Sequence, residues 1–530
     1  MSDTTYYLTT PLYYVNAPPH LGHAYTTVIA DVLARYHRLR GQPVFFLTGT
    51  DEHGQKIQQA AAAAGKPPQQ FADEIVPNFS ALWTALNISY DDFIRTTEPR
   101  HTTGVQAALV QLLASGDIYL GTYEGWYCVP DETFWPNVTA TPGQAPVCPE
   151  CRRPVERISE KNYFFRLEKY RPWLRQHIQA YETFIQPTSR RNEVLAFLHR
   201  PLQDLCISRP TARLSWGIPM PSPPFEPGYV TYVWFDALLN YVTAVGYPDT
   251  KHARWPSWPA NLHLIGKDIL RPHAVYWPIM LHALGLPLPT TVAVHGWWLI
   301  EGEKMSKSRG NVVDPHAVIA EFGVDAYRYF LLREVPFGHD GTFSEQALEK
   351  RYTADLANDL GNLVYRVLTM LEKYFSGIVP NAQPRRGIAL PAYEEPEEDF
   401  LPGLGTGVHL SKAFDAYNFQ FALTILWACI DQGNAWIDQK KPWVLAKGDE
   451  VAMQELTRVL ARLLEFLRAL AVWLWPFMPT TSEKMWEQLG CPGNITDVRW
   501  SEAWKAGATA GQTIQKGLPL FPRREPTPTA

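Results

Sequence analysis

The run from Tyr6 to Gly54, YYLTTPLYYVNAPPHLGHAYTTVIADVLARYHRLRGQPVFFLTGTDEHG, decides the fold. Tyr6, Tyr7 and Leu8 suit a buried strand, which Pro11 ends. A loop runs to Pro18-Pro19. Beyond it Tyr25, Val28, Ile29, Val32, Leu33 and Tyr36 recur at three- and four-residue steps, the pattern of one apolar helix face. Gly41 and Pro43 stop that helix, and Val44-Phe45-Phe46-Leu47 forms the next strand, opening into Thr48-Gly49-Thr50-Asp51-Glu52-His53-Gly54. Two strands joined by a helix imply a parallel pair, and so an α/β domain.

Residues from about 118 to 225 differ in character. They hold clustered cysteines, many turn residues and short aromatic runs, and the Pro-rich stretch Pro219 to Gly228 closes them as a linker. Strand and helix alternation then resumes at Tyr229 to Trp234, His263-Leu264-Ile265-Gly266 and Val292-Ala293-Val294. An α/β sheet interrupted by an inserted module is the expectation. From Ser344, a plausible N-cap, the pattern is helical to about Leu489, with long segments at 344–376, 408–440 and 451–475. The Pro- and Glu-rich stretch from Val379 to Phe400 reads as a loop, and Pro522 to Ala530 as a disordered end.

The chain has 530 residues, enough for several cores. Its 19 Trp and 25 Tyr suggest aromatic-lined pockets or stacking surfaces as well as core. A formal net charge of -5 argues against a generally basic nucleic-acid coat but leaves room for a local basic stripe. Six cysteines, three clustered and three scattered, are too sparse for a secreted disulfide scaffold. The N-terminus lacks the basic start and apolar run of a signal peptide, and no apolar stretch reaches membrane-spanning length. The reading is a soluble, cytoplasmic protein with no membrane partner.

Two short motifs carry chemistry. His20 and His23 fall on one side of a helix's first turn, after a proline-stiffened loop. Gly22 between them admits a ligand to the backbone. A helix N-terminus attracts anions, and imidazoles there can donate to phosphate oxygens. Far along the chain, Lys304 and Lys307 flank Met305 and Ser306, with Ser308 following and Gly302 and Gly310 outside. Two lysines among small, flexible residues describe a loop able to close on a polyanion. Each motif alone also fits surface histidines or a solvated basic turn. Both together, each at a strand–helix junction, point to a nucleotide-phosphate site.

The pair His20-Leu21-Gly22-His23 and Lys304-Met305-Ser306-Lys307-Ser308 resembles the HIGH and KMSKS signatures of class I aminoacyl-tRNA synthetases, with Leu21 in place of the usual Ile. From Tyr7 to about Pro522 the chain is similar to the bacterial methionyl-tRNA synthetase family. The resemblance implies a Rossmann-type parallel-sheet catalytic domain, its halves at 1–117 and 226–293, split by a connective, zinc-knuckle-like module at 118–225. A signature-loop and stem-contact region at 294–350, an all-α anticodon-binding bundle at 351–515 and a tail at 516–530 complete it. The implied activity is that of a methionine–tRNA ligase. It joins L-methionine to AMP at the expense of ATP and transfers it to tRNA(Met), initiator tRNA included. His20, His23, Lys304 and Lys307 are then catalytic. Gly22, Gly266, Lys267, Asp268, Met305, Ser306 and Ser308 bind ATP, which Mg²⁺ accompanies.

The amino acid needs its own argument. An unbranched thioether asks for an apolar, aromatic and polarizable pocket. By motif position the family uses Leu12, Tyr14, Trp234, Ala237, Leu238, Tyr241 and His295 around the side chain and Asp51 for the α-ammonium group. Leu238 stands where some members have proline. The insert at 118–225 is too short for the editing domain that the Ile, Leu and Val enzymes need, since one methylene discriminates by only about 1–3 kcal/mol.

Cys128, Cys148 and Cys151 resemble part of the family's zinc knuckle, with Asp131 where a second Cys of the first half is expected. Asp ligates zinc less favourably than thiolate, so a bound Zn²⁺ and a vestigial, metal-free knuckle both fit. In the helical region Asn362 and Arg366, four apart on one face, and Trp443, after Pro442 and two lysines, are by resemblance the readers of a CAU anticodon. The chain carries no appended oligonucleotide-binding barrel of the kind through which family members dimerise, which favours a monomer. The cysteine enzyme of the same class, a non-catalytic tRNA-binding paralogue and a non-tRNA nucleotidyltransferase are the competing readings. The cysteines lie in the insert rather than the amino-acid pocket, no signature residue is lost, and the long helical region suits tRNA.

Overall fold

A computed structural model describes residues 4–128, 133–135, 146–149, 152–300, 303–304, 313–381, 404–505 and 509–524. Two compact units divide the chain. The first comprises residues 1–19, 44–84 and 90–295; the second comprises 20–43, 85–89 and 296–530.

The chain opens β1 (Tyr6–Thr9), β2 (Tyr13–Tyr14), α1 (Leu21–Leu39), β3 (Val44–Asp51), α2 (Gln55–Ala63), α3 (Pro68–Ala85), β4 (Asp92–Arg95) and α4 (Pro99–Ala114). The helix expected from the apolar steps is α1, and Gly41, at φ +80, lies just past its end. The insert follows as β5 (Ile118–Cys128), β6 (Thr133–Trp135), β7 (Glu156–Phe165), α5 (Arg171–Ala180), β8 (Ile185–Gln186), α6 (Thr188–Phe197), β9 (Leu205–Cys206) and β10 (Ser208–Pro210). Then come β11 (Tyr229–Thr231), α7 (Val233–Leu238), α8 (Asn240–Thr243), β12 (Leu262–Gly266), α9 (Trp277–Ala283) and β13 (Thr291–His295).

The main sheet of the first unit is wholly parallel, in the order β2-β3-β1-β12-β13-β8, with β4 also on β3. Every residue of β12 and β13 is buried, as parallel strands covered on both faces require. β1 leads to β3 on one side, whereas β12 leads to β13 on the other. The strand order therefore reverses between β1 and β12, and the crevice beyond their C-terminal ends is where an open α/β sheet binds ligand. The insert is built on a separate antiparallel sheet, β6-β5-β7-β9, in which β5 and β7 pair from Ile118↔Phe165 to Tyr127↔Glu156. Within the same stretch, β8 joins the main sheet at the edge of β13. Tyr229 to Trp234 is not one strand. β11 ends at Thr231 and pairs with β10, and α7 takes over at Val233, its Asp236 N–H donating to Tyr232 O at 3.0 Å.

In the second unit a small sheet, β14 (Trp298–Ile300) with β15 (Glu303–Lys304) and β16 (Gly341–Phe343), accompanies α10 (Pro315–Phe322) and α11 (Val324–Arg333). The helical region continues through α12 (Glu345–Arg351), α13 (Asn362–Phe375), α14 (Leu404–Asp415), α15 (Phe419–Lys440), α16 (Pro442–Leu445), α17 (Glu450–Leu474) and α18 (Pro479–Gln488). Ser344 caps α12, its hydroxyl accepting from Ala347 N–H at 3.3 Å. Between α12 and α13, residues 352–361 run at π pitch. The segment expected as one helix over 408–440 breaks at Tyr417, φ +55, because Asn418 starts a new helix by accepting from Phe421 N–H at 3.2 Å. Helices α13, α15 and α17 meet at Gly433, where a Cβ would sit 3.1 Å from Phe466 Cε1 and 3.2 Å from Leu363 Cδ2. The loop expected over 379–400 lies almost entirely outside the described residues. No helix among the described residues is long and apolar enough to cross a membrane.

Candidate active site

The eight residues expected around methionine all belong to the first unit. Tyr14 and Asp51 are direct partners in the parallel pairing of β2 with β3, so both emerge at the sheet's C-terminal edge. Asp51 is buried and opens the turn Asp51-Glu52-His53-Gly54. That turn is fixed on every side. Tyr14 hydroxyl donates to His53 O at 2.9 Å, Trp216 Nε1 to Glu52 O at 2.5 Å, and Gly54 N–H to Trp216 O at 3.2 Å. The fully buried Glu52 carboxylate accepts from Thr50 at 2.6 Å, from Thr97 at 2.8 Å, and from Arg95 through Nε at 2.6 Å and Nη2 at 2.8 Å. A carboxylate with that many donors is held in one position.

Trp234, Ala237 and Leu238 lie on α7 and Tyr241 on α8, while His295 ends β13 beside Gly266 of β12. Trp234 is half-buried and, with Leu12, packs on the core that includes Leu238 and Tyr241; Ala237 and His295 are buried. Leu238 is thus a core side chain at 1% exposure. Gly266 pairs in register with His295, and a Cβ there would meet Asp268 Oδ1 at 2.6 Å, so the turn Lys267–Ile269 after β12 is tight. Asp236, fully buried between Trp234 and Ala237, holds two imidazoles: His53 Nδ1 on Oδ2 and His101 Nε2 on Oδ1, both at 2.7 Å. Burial raises its pKa, but His53 and His101 outweigh that and hold the carboxyl below the ordinary range.

Two histidines not singled out by sequence pack beside Trp234 and Tyr241. His273 lies edge-on to Trp234, with ring centroids 6.2 Å apart. Its Nδ1 faces Ile269 O at 2.9 Å, which only accepts, so Nδ1 carries the proton and Nε2 receives the Tyr241 hydroxyl at 2.8 Å. His263 sits 4.2 Å from the Tyr241 ring, bonded to Thr9 Oγ1 at 2.8 Å and accepting from Trp277 Nε1 at 3.1 Å. Burial pushes His273 down to about 4 and His263 well below the ordinary range, so both imidazoles are neutral near pH 7. Neither residue has a periodicity or motif signal; each is a lone His among apolar neighbours.

These depressed values set an acid-side stability loss. Above pH 6.5, the ordinary histidine value, folded and unfolded chains both leave His273 neutral. Below it only the unfolded chain takes up the proton. The group's contribution is whole above about pH 6.5 and is lost as pH falls toward about 4, by up to about 3 kcal/mol. His37 in the second unit, brought by burial to about 4, acts in the same window. Thermal melts between pH 7 and pH 4.5 are expected to show a falling midpoint, and a flat midpoint would contradict it.

In the second unit His20 is the N-cap of α1. Its Nδ1 accepts from Gly22 N–H at 3.1 Å, and His23 Nδ1 accepts from His20 N–H at 3.0 Å, with the rings 4.0 Å apart. Two Nδ1 acceptors place the ring protons on both Nε2 atoms, so each histidine presents an N–H donor at the helix start. Lys304 lies in β15, its backbone paired with Leu299. Met305, Ser306, Lys307 and Ser308 lie outside the described residues, as do Asp131 and Cys151. Cys128 ends β5, buried, and Cys148 is buried in a turn closed by Cys148 N–H to Arg153 O at 2.8 Å; neither is in a disulfide. The described residues contain no cluster of three or more metal-ligating side chains.

Nearly three turns into α1, Asp31 anchors a buried ion network. Its carboxylate accepts from Arg35 Nε and Arg328 Nη2, both at 2.7 Å, and from Ser89 N–H at 2.7 Å and Ser89 Oγ at 2.6 Å. Arg328, fully buried, also donates to the carbonyls of Leu86, Pro476 and Phe477, each at 2.9 Å. Burial alone would raise the Asp31 pKa; Arg35, Arg328 and Ser89 bring it to about 2.

In the helical region Asn362 and Tyr365 are exposed on α13, and Arg366 on the same face donates to Asp438 Oδ1 at 2.5 Å. Asp438 is in the last turn of α15, which leads through Lys441, at φ +46, into α16. Trp443 there is 42% exposed. That exposure leaves an aromatic face available to solvent, whereas a helix–helix contact would cover it.

The chain matches the family model for class I tRNA synthetases (M) over residues 6–157 and 144–368, and the model for the anticodon-binding domain of tRNA ligases over 408–516. These matches and the parallel sheet with its helical C-terminal region define a class I aminoacyl-tRNA synthetase. The methionine–tRNA ligase of Caldanaerobacter subterraneus subsp. tengcongensis is 48% identical over 98% of this chain and 79% of its own length. That of Bacillus subtilis is 46% identical over 99% and 78%. The structure of Mycobacterium tuberculosis methionyl-tRNA synthetase with methionyl-adenylate superposes with a TM-score of 0.89, at 40% identity, covering 98% of this chain and 100% of that one. The chain belongs to the class I methionyl-tRNA synthetase family, the methionine–tRNA ligases.

Proposed function

We propose that the crevice beyond β1 and β12 binds methionine and ATP, and that the His20–His23 and Lys304–Ser308 motifs activate them. The methionine carboxylate attacks the α-phosphorus of ATP and pyrophosphate leaves. The terminal ribose of tRNA(Met) then attacks the aminoacyl-adenylate. No protein nucleophile is required, so positioning and electrostatics carry the catalysis. The Nε2–H donors of His20 and His23 meet the negative charge that builds on the α-phosphate. Gly22 lets the phosphates approach the backbone. Lys304 and Lys307, with Met305, Ser306 and Ser308 of the same motif, neutralise the departing pyrophosphate. Mg²⁺ arriving with ATP shares that charge. Gly266, Lys267 and Asp268 take the adenosine end.

The observation that carries the methionine reading is the packing of Trp234 and Tyr241 on a neutral His273, with Asp51 in register with Tyr14 at the edge of the parallel sheet. Asp51 pairs with the ammonium group. Leu12, Ala237, Leu238 and His295 enclose the thioether. An apolar, polarizable lining favours sulfur and rejects charged side chains.

On the tRNA side, Asn362, Arg366 and Trp443 read a CAU anticodon on elongator and initiator tRNA alike. Trp443→Ala is expected to lower the efficiency of tRNA charging by about 5- to 150-fold, the equivalent of one lost stacked base, while methionine-dependent ATP–pyrophosphate exchange stays unchanged. Equal losses in both assays would assign Trp443 to folding instead. Cys128, Cys148, Cys151 and Asp131 are a donor set suited to a structural zinc ion, and the two described thiols are buried. Metal analysis of the purified protein reads that site.

A further inference from the structure

We propose that Asp236 is a positioning residue for methionine recognition, its carboxylate locking the turn that carries Asp51 to the helix that carries Trp234 and Ala237. This rests on the reading of that crevice as the methionine site.

The two ends of an amino acid are read by different elements. The ammonium partner, Asp51, ends β3 and begins the turn to Gly54. The side-chain partners lie on α7 and α8, more than 180 residues later in the chain. Asp236 joins them. It sits in α7 between Trp234 and Ala237, and its Oδ2 accepts a hydrogen bond from Nδ1–H of His53, two residues beyond Asp51. The other oxygen is occupied as well. His101 Nε2 donates to Oδ1, while His101 Nδ1 lies 2.9 Å from Thr243 Oγ1 at the end of α8. Both carboxylate oxygens are therefore fixed, and α7, α8, α4 and the Asp51 turn share one buried network.

Its geometry suits this task and no proton-transfer role. Asp236 and His101 are wholly buried, so neither meets substrate. His53 is nearly so, stacked edge-on to Trp216, and its carbonyl holds the Tyr14 hydroxyl. Tyr14 and Trp234, two proposed walls of the methionine pocket, are thereby tied through His53 and Asp236. Shifting the turn relative to α7 would separate the ammonium and thioether contacts, which a flexible substrate satisfies only when their spacing is fixed.

The test is methionine-dependent ATP–pyrophosphate exchange by the full chain, with methionine and ATP titrated separately. Asp236→Asn cannot accept from both imidazoles with both atoms. It is expected to raise the methionine KM by about tenfold or more and to move the ATP KM by less than about twofold. Loss of folded enzyme would lower the apparent kcat and leave both KM values alone. A cycle with His53→Ala then asks whether Asp236 acts through His53. The Asp236→Asn factor should shrink to less than about threefold in the His53→Ala background. An unchanged methionine KM, equal rises in both KM values, or the same factor in both backgrounds would overturn the proposal. Should Asp236→Asn not fold, His53→Ala alone must raise the methionine KM selectively, and failure to do so is equally fatal. Absence of methionine-dependent exchange in the unaltered chain would instead defeat the functional reading itself.

Discussion

His20→Asn is expected to lower methionine-dependent ATP–pyrophosphate exchange by about 10²–10³-fold while leaving the fold and the methionine KM nearly unchanged. The substitution separates the two tasks of this side chain. As N-cap, His20 accepts from Gly22 N–H through Nδ1, and Asn is among the best residues for that purpose. The Nε2–H, which the cap geometry forces onto the far side of the ring, has no counterpart on the shorter side chain. What is lost is a donor preorganised for charge that appears only in the transition state. The effect therefore falls on kcat and on kcat/KM together. A melting temperature lowered in step with activity would show that the cap, and not the outward donor, is the important half.

Arg328→Ala is expected to destabilise the second unit by about 3–5 kcal/mol. Four partners lose their donor at once: the Asp31 carboxylate and the carbonyls of Leu86, Pro476 and Phe477. Each is buried, so water does not replace the guanidinium without rearrangement. Arg35 still reaches Asp31, with its cation over the Trp475 ring at 4.7 Å, which keeps part of the charge compensated. Arg328→Lys retains the charge but only one point of donation, and is expected to recover less than half of the loss. Denaturant midpoints of the three proteins measure this; an Arg328→Ala chain as stable as the parent would mean the network is solvated. Because Asp31 lies in α1, two to three turns below His23, the same variant should also lower the exchange rate.

The parallel sheet was legible because each strand of its centre is a short apolar run bounded by Gly or Pro, and because the helix between Leu21 and Leu39 has a clean apolar stripe. β8 was not, since two residues, Ile185 and Gln186, carry no alternation. The break at Tyr417 escaped for a related reason: no Gly or Pro marks it, and only Asn418 acting as a cap reveals a new start. Arg328 reads in Asp325-Ala326-Tyr327-Arg328 as an ordinary exposed helix position, yet tertiary packing buries it completely. His263 and His273 were invisible for the opposite reason, each being a polar residue in an apolar setting whose partners lie far away in sequence. The motif residues were legible because the chemistry of phosphate dictates them. Their supports, Asp236, His53 and His101, depend on contacts between residues 135 and 183 apart, which no local pattern encodes.

ATP–pyrophosphate exchange by the unaltered protein, run against a panel of amino acids, bears most directly on the central reading. The proposed methionine site of Trp234, Tyr241, His273 and Asp51 predicts that methionine supports exchange. Cysteine, leucine, isoleucine and valine are each expected to be weaker by about tenfold or more, the discrimination a fitted apolar pocket gives. Exchange with cysteine or a branched residue equal to that with methionine, or none with any amino acid, would contradict it.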